Sequence, residues 1–401
     1  MAKYRVLSKE VLDGFDKYKY SAVDTNPLSN YVMHPFWNNV VKIVPLWIAP
    51  NVLTLAGFLL MVLNFITMIY YDLDFYASSR DHPEFPPIPN WVWLMCAINN
   101  FLSHTLDGID GKQARRTGTS SPLGEMFDHG LDSWASFFIP VAMYSIYGRG
   151  EHGVEVFRVY LVLLGVNFCF IASHWEKYNT GILFLPWGYD ISQVAMSSVY
   201  LLTFFTGYEF WKFTLFGMSG SEYFEIIMYI GFAFSIPITV WNIYIGYRDK
   251  TGKMLSFSES CRPLVSTILL FVLMITWAKF SSYEIIQRHP RIFYCTTGTV
   301  FSNIACRLII AQMSNTRCEL VNWLLVPLFS IVMTVCFLSL GVLEFYILTA
   351  YCIFVTVSHI HFGVCVVREL CTFLNVNAFT IPTNILAEGN TEPECSVVGL
   401  G

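Results

Sequence analysis

Residues 107–132 read "DGIDGKQARRTGTSSPLGEMFDHGLD", a charged interruption in a chain that is mostly apolar. Asp107, Asp110, Asp128 and Asp132 share this stretch with Glu125, His129, Lys112, Arg115 and Arg116. Charged groups are costly beside hydrocarbon unless paired or bound to a ligand, so their gathering needs a reason. The surrounding sequence sets the fold class. Of 401 residues, 55% are hydrophobic and 13% charged, and the mean hydropathy is +0.51. That composition implies an all-α, polytopic membrane protein.

A span needs about 20 predominantly apolar residues. On that basis helices are expected near 46–71, 90–110, 122–147, 156–174, 182–205, 223–246, 263–279, 292–312, 320–340 and 343–367, about ten spans in one bundle. The chain divides into an N-terminal segment (1–45), a transmembrane domain (46–370) and a tail (371–401) expected to be disordered. In the first segment Leu7, Val11, Leu12, Phe15 and Tyr18 recur at helical spacing among lysines. That pattern suits an amphipathic helix lying at the membrane interface, and equally one packed on the bundle. No signal peptide is legible, because "MAKYRVLSKEVLDGFDKYKY" lacks a continuous apolar run.

An even number of spans puts both termini on one side. The N-terminal segment and the connections holding Lys112, Arg115, Arg116, Lys177, Arg248, Lys250, Lys253, Arg262 and Arg317 share one face, and Arg80, Arg149 and Lys212 lie on the other. The positive-inside rule makes the richer face cytosolic, so the quoted stretch faces the cytosol. The net charge of −5 and the scattering of basic residues leave no footprint for nucleic acid. Most of the eleven cysteines lie in apolar runs without CxxC pairing and read as small core residues.

Asp107 and Asp110 stand at i, i+3 at the end of one helix, and Asp128 and Asp132 at i, i+4 at the start of the next. Gly111 and Gly118, with Thr119, Ser120 and Pro122, read as the turn that folds the helices antiparallel, so that four carboxylates converge. At about 100° per residue, with Asp128 at zero, Asp132 lies near 40°, Glu125 near 60° and His129 near 100°, while Trp134 faces the other way. Converging carboxylates repel one another unless cations lie between them. Oxygen ligands favour Mg²⁺, Mn²⁺ or Ca²⁺ over zinc, and two carboxylate-bridged ions suit phosphoryl transfer. The competing reading is a set of helix-end charges paired with Lys112, Arg115 and Arg116.

The spacing decides between them. Asp107, Asp110, Gly111, Ala114, Arg115, Gly124, Asp128 and Asp132 form D-x-x-D-G-x-x-A-R, eight residues, then G-x-x-x-D-x-x-x-D. The pattern resembles the signature of the CDP-alcohol phosphotransferase family, with every fixed position present. The resemblance implies transfer of a phospho-alcohol from a cytidine diphosphate carrier to a lipid hydroxyl, with release of CMP. It implies that Asp107, Asp110, Asp128 and Asp132 hold two Mg²⁺ ions, with Mn²⁺ able to substitute, and that Asp107, Arg115 and Lys112 meet the substrate. Asn51, in "LWIAPNVLT", is implied as a nucleotide contact, against the plainer reading of a helix cap. For the base, relatives suggest Asp132, but a carboxylate between two cations is a poor proton acceptor. His129 on the same face, supported by Glu125, is the expected catalytic pair.

"DGIDGKQARRT" and "SPLGEMFDHGLDS" resemble the eukaryotic choline/ethanolamine branch, and "HWEKYNTGILFLPWGYD" (174–190) is similar to its ethanolamine-transferring members. The implied reaction joins CDP-ethanolamine to diacylglycerol or alkyl-acylglycerol, with cholinephosphotransferase or dual activity as the alternative. The implied setting is the endoplasmic reticulum membrane, or the Golgi, and the implied assembly a homodimer. Glu176 is an acceptor candidate for the ammonium, against a surface pair with Lys177. Arg307, His359 and His361 within spans either line a pocket or fasten helices, and Cys395 in the tail has no assigned task. The different-class alternative is a membrane transporter, for which repeat symmetry and mid-bilayer polar residues would be expected.

Overall fold

The computed structural model describes residues 5–185 and 188–382. Helices α1 (Lys9–Asp16) and α2 (His34–Ile43) precede ten longer ones. These are α3 (Pro50–Tyr71), α4 (Asn90–Arg116), α5 (Pro122–Tyr147), α6 (Val156–Thr180), α7 (Gly188–Thr206), α8 (Gly220–Arg248), α9 (Phe257–Phe280), α11 (Pro290–Ser314), α12 (Leu325–Phe337) and α13 (Leu343–Leu374), with a single turn α10 (Ile285–Arg288) before α11. Each stands over an expected span. Five of them, α3, α6, α8, α9 and α13, are long and apolar enough to cross a membrane by length and composition. Four of the others depart from that criterion for identifiable reasons. α4 and α5 carry the charged stretch, and α12 has 13 residues. Along α11, which is rich in Thr, Ser and Asn, nearly every residue is buried against other helices.

Two helices run further than their apolar patterns. α4 continues to Arg116, so Gly111, Lys112 and Arg115 are helical and the turn is confined to Thr117–Ser121. Gly118, at φ +65°, reverses the chain there. Ser121 then caps α5 by accepting from the Gly124 N–H, with Pro122 at the first helical position. α6 likewise runs past residue 174 to Thr180, which makes Lys177 a buried helical residue instead of a loop cation.

α4 packs between α3 and α7, α5 between α3 and α11, and α6 against α8. Within the signature stretch, Gln113 is buried and donates to Pro45 O at 3.0 Å and Ile48 O at 3.1 Å, which fixes the start of α3 beside α4. Gly108 allows α2 to lie against α4, because a Cβ there would stand 2.2 Å from the Trp37 ring. The stripe of the N-terminal helix faces inward: Leu7, Leu12 and Phe15 are buried with Met313, Val366 and Leu370, and the Val6 and Leu7 N–H groups donate to Glu369 at 2.7 and 2.9 Å. The tail boundary shifts as well. α13 extends to Leu374, and beyond it Phe379 meets the Phe127 ring while Ile381 is buried, so this part of the expected disordered tail is folded against the bundle. Cys395 lies outside the described residues.

At the end of the bundle away from the aspartates, Arg291 and Asp72 form a buried ion pair at 3.5 Å. The guanidinium also donates to Asp72 O and Ser145 Oγ and lies 3.9 Å from the Phe75 ring centroid. Tyr144, Tyr160, Phe293 and Tyr294 close the core around it.

Candidate active site

The turn at Gly118 brings the last turns of α4 against the first turns of α5, and the acidic side chains meet. Ligand atoms of Asp107, Asp110 and Asp128 lie within 4.8 Å of one another, and so do those of Asp128, His129 and Asp132. The two groups share Asp128. Neighbours hold the outer members: Thr54 Oγ1 of α3 donates to Asp110 Oδ2 at 2.5 Å, and the Tyr189 hydroxyl of α7 donates to Asp107 Oδ2 at 3.0 Å. Asp128 Oδ1 is buried with no hydrogen-bond donor among the described residues. A buried carboxylate oxygen left bare inside an all-oxygen acidic cluster fits a hard divalent cation.

His129 Nδ1 stands 3.8 Å from Asp128 Oδ2 and 3.8 Å from Asp132 Oδ2. Its Nε2 is buried, lacks a hydrogen-bond partner among the described residues and lies 3.9 Å from Glu125 Oε1. The His174 ring packs edge-on at 5.4 Å, and His174 Nδ1 is held by Gln312 Nε2 at 2.9 Å. The expected pairing of Glu125 with His129 is thus looser than a hydrogen bond, because Glu125 is already engaged. Its Oε1 accepts from Lys177 Nζ and from the Tyr18 hydroxyl, the latter at 2.7 Å. The Tyr18 phenol is held well above its ordinary range, by burial first and then by the Glu125 charge, so it remains a donor.

The remaining expected residues scatter. Arg115 is exposed beside Gly111, where a Cβ would stand 3.6 Å from Nη1. Lys112 reaches α2, where Nζ donates to Asn38 Oδ1 at 2.8 Å. Asn51 does not cap α3, since Ala49 holds that position. Its amide donates to Ala378 O at 3.0 Å, and its Oδ1 would be 3.6 Å from a Cβ on Gly124. Glu176 is no surface partner of Lys177: it is buried and accepts from Asn242 Nδ2 of α8 at 2.8 Å. Arg307 pairs with Glu319 at 2.6 Å, and His359 meets Ser302 at 3.1 Å, which makes both of them fasteners between segments. His361 contacts Cys365 of its own helix.

Within 174–190 the sequence points to Glu176 as the contact and assigns no role to His174 or Tyr189. Both ends of the block reach the site, His174 and Lys177 through His129 and Glu125, Tyr189 and Asp190 through α4. Asp190 Oδ1 lies 2.8 Å from His104 Nε2, one turn before Asp107. Thr54 was missed, although it shares a helix face with Asn51 one turn away. Tyr18 was read only as part of an apolar stripe.

A narrow cleft, with a cavity volume of about 30 Å³, opens between α3, α4, α5 and α7. Asp107, Asp132 and Tyr189 line it at the acidic end, and Phe58, Met61 and Ile139 line it further along the helices. One wall can therefore present an apolar surface next to a reacting group held at the carboxylates.

Comparison with known proteins agrees with this geometry. The CDP-alcohol phosphatidyltransferase family profile matches residues 47–241. Ethanolaminephosphotransferase 1 of Homo sapiens is 52% identical over 387 residues, covering 95% of this chain and 96% of that protein. Choline/ethanolaminephosphotransferase 1 of Arabidopsis thaliana is 31% identical over 390 residues (91% and 95%), and cholinephosphotransferase 1 of Danio rerio is 32% identical over 319 residues (78% and 80%). With identity sustained along nearly the whole chain and the signature carboxylates drawn together at one helix turn, this protein is an enzyme of the CDP-alcohol phosphatidyltransferase family.

Proposed function

We propose that the protein transfers phosphoethanolamine from CDP-ethanolamine to the free hydroxyl of diacylglycerol or alkyl-acylglycerol, giving phosphatidylethanolamine or its ether counterpart and CMP. The observation that carries the choice of alcohol is the identity: 52% to a protein named for ethanolamine transfer, against 31–32% to proteins named for choline or for both. Asp107, Asp110, Asp128 and Asp132 would hold two Mg²⁺ ions, replaceable by Mn²⁺, with Asp128 common to both carboxylate groups. Bound there, the ions would screen the diphosphate and stabilise the charge on departing CMP.

His129 is the base in this reading. Its Nδ1 faces the Asp128 and Asp132 carboxylates, which favours the tautomer protonated at Nδ1 and leaves the unpartnered Nε2 to accept a proton. As the acceptor oxygen bonds to the β-phosphorus, Nε2 takes the hydroxyl proton and the bond to the CMP oxygen breaks, CMP keeping the electron pair. Asp128 and Asp132 then stabilise the imidazolium. Glu125 acts at one remove, by fixing Lys177 and Tyr18. Arg115, exposed beside Gly111, is assigned to the diphosphate. Lys112, bound to Asn38, is assigned to holding α2. The acceptor's glycerol enters through the cleft between α3, α4, α5 and α7, its chains along Phe58, Met61 and Ile139.

The transferase domain is taken as 46–370 in a multi-pass membrane protein of the endoplasmic reticulum or Golgi, the site facing the cytosol. That orientation is supported by the concentration of Lys and Arg at the aspartate end. A homodimer is carried over from the family resemblance. The test is a comparison of kcat/KM for CDP-ethanolamine and CDP-choline with diacylglycerol and Mg²⁺ in purified, lipid-reconstituted enzyme. Ethanolamine should be favoured, and equal values would replace this reading with dual specificity.

A further inference from the structure

The N-terminal segment crosses the mouth of the site as a strap fastened at both ends. At one end the Tyr18 hydroxyl donates to Glu125 of α5 and accepts from Lys177 of α6, each at 2.7 Å. Just beyond, Ala22–Val23 pairs in parallel with Leu183–Phe184, the Leu183 N–H donating to Ser21 O and the Leu185 N–H to Val23 O, both at 3.0 Å. At the other end the Ser29 hydroxyl donates to Asp190 of α7, which is joined to His104 of α4. The strap therefore runs from the α5–α6 side to the α4–α7 side, and the aspartates lie on the helices it bridges.

Tyr20 sits on this strap between fixed points. It is 57% exposed, and Lys177 Nζ lies 5.6 Å from its ring centroid. Lys177, lying against the ring, donates to Glu125 one turn before His129, so the ring stands beside the first turns of α5 that carry the acidic cluster. An exposed aromatic face beside a phosphate-binding cluster suits either a base or a cationic head group. The charges discriminate. Lys177 already occupies the cation position against Tyr18 and Tyr20, at 5.3 and 5.6 Å, and Arg115 adds a second positive charge nearby. A further ammonium would be repelled, whereas a neutral, flat heterocycle would not.

We propose that Tyr20 is the stacking platform for the cytosine of the CDP-alcohol donor, and that residues 18–29 form the outer wall of the nucleotide pocket. The assignment rests on placing the donor's diphosphate at the aspartates. Tyr20→Ala, Tyr20→Leu and Tyr20→Phe are compared with wild type for the KM of CDP-ethanolamine, the inhibition constant of CMP, and the ratio of kcat/KM between CDP-ethanolamine and CDP-choline. Loss of one base–aromatic contact should raise both the donor KM and the CMP constant by about tenfold or more in the Ala and Leu variants. The Phe variant should match wild type, kcat should stay near wild type, and the ratio between donors should not move. An unchanged CMP constant in Tyr20→Leu overturns the proposal, and a changed donor ratio with unchanged CMP inhibition assigns the ring to the head group instead. Failure of the underlying placement reads differently, as wild-type enzyme that CMP does not inhibit.

Discussion

The two ends of the bundle handle buried charge in opposite ways. At one end Arg291 meets Asp72, and the guanidinium donates through Nε to Asp72 O and Leu73 O and through Nη2 to Ser145 Oγ. Lys212, buried nearby, donates to Tyr147 O. At the other end four aspartates are brought together, and Asp128 Oδ1 and His129 Nε2 are buried without partners among the described residues. What separates the two ends is the sign of the charges: Arg291 and Asp72 are opposite charges that balance each other, although Arg291 Nη1 and Asp72 Oδ2 make no hydrogen bond among the described residues, whereas the aspartates are like charges that only a cation would balance. Substitutions at the two ends should separate activity from stability.

The largest effect belongs to the aspartate end. Asp128→Asn removes the carboxylate common to both groups and should lower turnover by roughly 10³-fold or more. Because it also relieves repulsion between like charges, the metal-free protein should melt no lower than wild type. Chelation with EDTA should abolish activity and added Mg²⁺ restore it; turnover that survives EDTA would remove the metal from the scheme. His129→Ala comes next, with kcat lowered roughly 10²–10⁴-fold and little change in donor affinity. A kcat at wild-type level would return the role of base to Asp132.

At the Arg291 end the order of effects reverses. Arg291→Ala strands Asp72 and should cost about 3–5 kcal/mol of stability, read from thermal unfolding in a fixed detergent, while the folded fraction keeps its specific activity. Adding Asp72→Asn should recover part of the loss. The smallest effect is a pH dependence. Burial lowers the Lys212 pKa to about 8, only partly offset by Glu209. A base whose folded pKa lies below its unfolded value, about 10.4, contributes stability fully above that value and loses it as pH falls through 8. Stability should therefore rise between about pH 8 and pH 10 by on the order of 1 kcal/mol more in wild type than in Lys212→Met.

The positions of the ten long helices were legible because apolar runs mark them, and the signature made the four aspartates legible as a set. Helix ends were not. α4 runs six residues past the expected end at 110 and α6 six past 174, since Lys112, Arg115 and Lys177 look like loop residues while being helical. Residues joined across the chain were illegible for a different reason. Tyr18 and Glu125 are 107 positions apart, and no local periodicity reports such a contact. The same holds for Thr54 and Asp110, 56 apart, and for His174 and Gln312, 138 apart. Glu125 shows the cost: its place on the helical wheel put it beside His129, but Lys177, invisible as its partner, had already taken it.

The cleft that runs from Asp107 and Asp132 toward Phe58, Met61 and Ile139 bears on which way the reaction runs. In the proposed reaction the phospholipid would leave along that apolar wall into the bilayer and CMP into water. Once separated in this way, the products dilute independently: one is governed by its mole fraction in the bilayer, the other by its concentration in water. Reversal then needs both reservoirs to be filled together, so hydrolysis of CMP in the aqueous phase is enough to make phospholipid synthesis a one-way flux even where the chemical step itself is close to balanced.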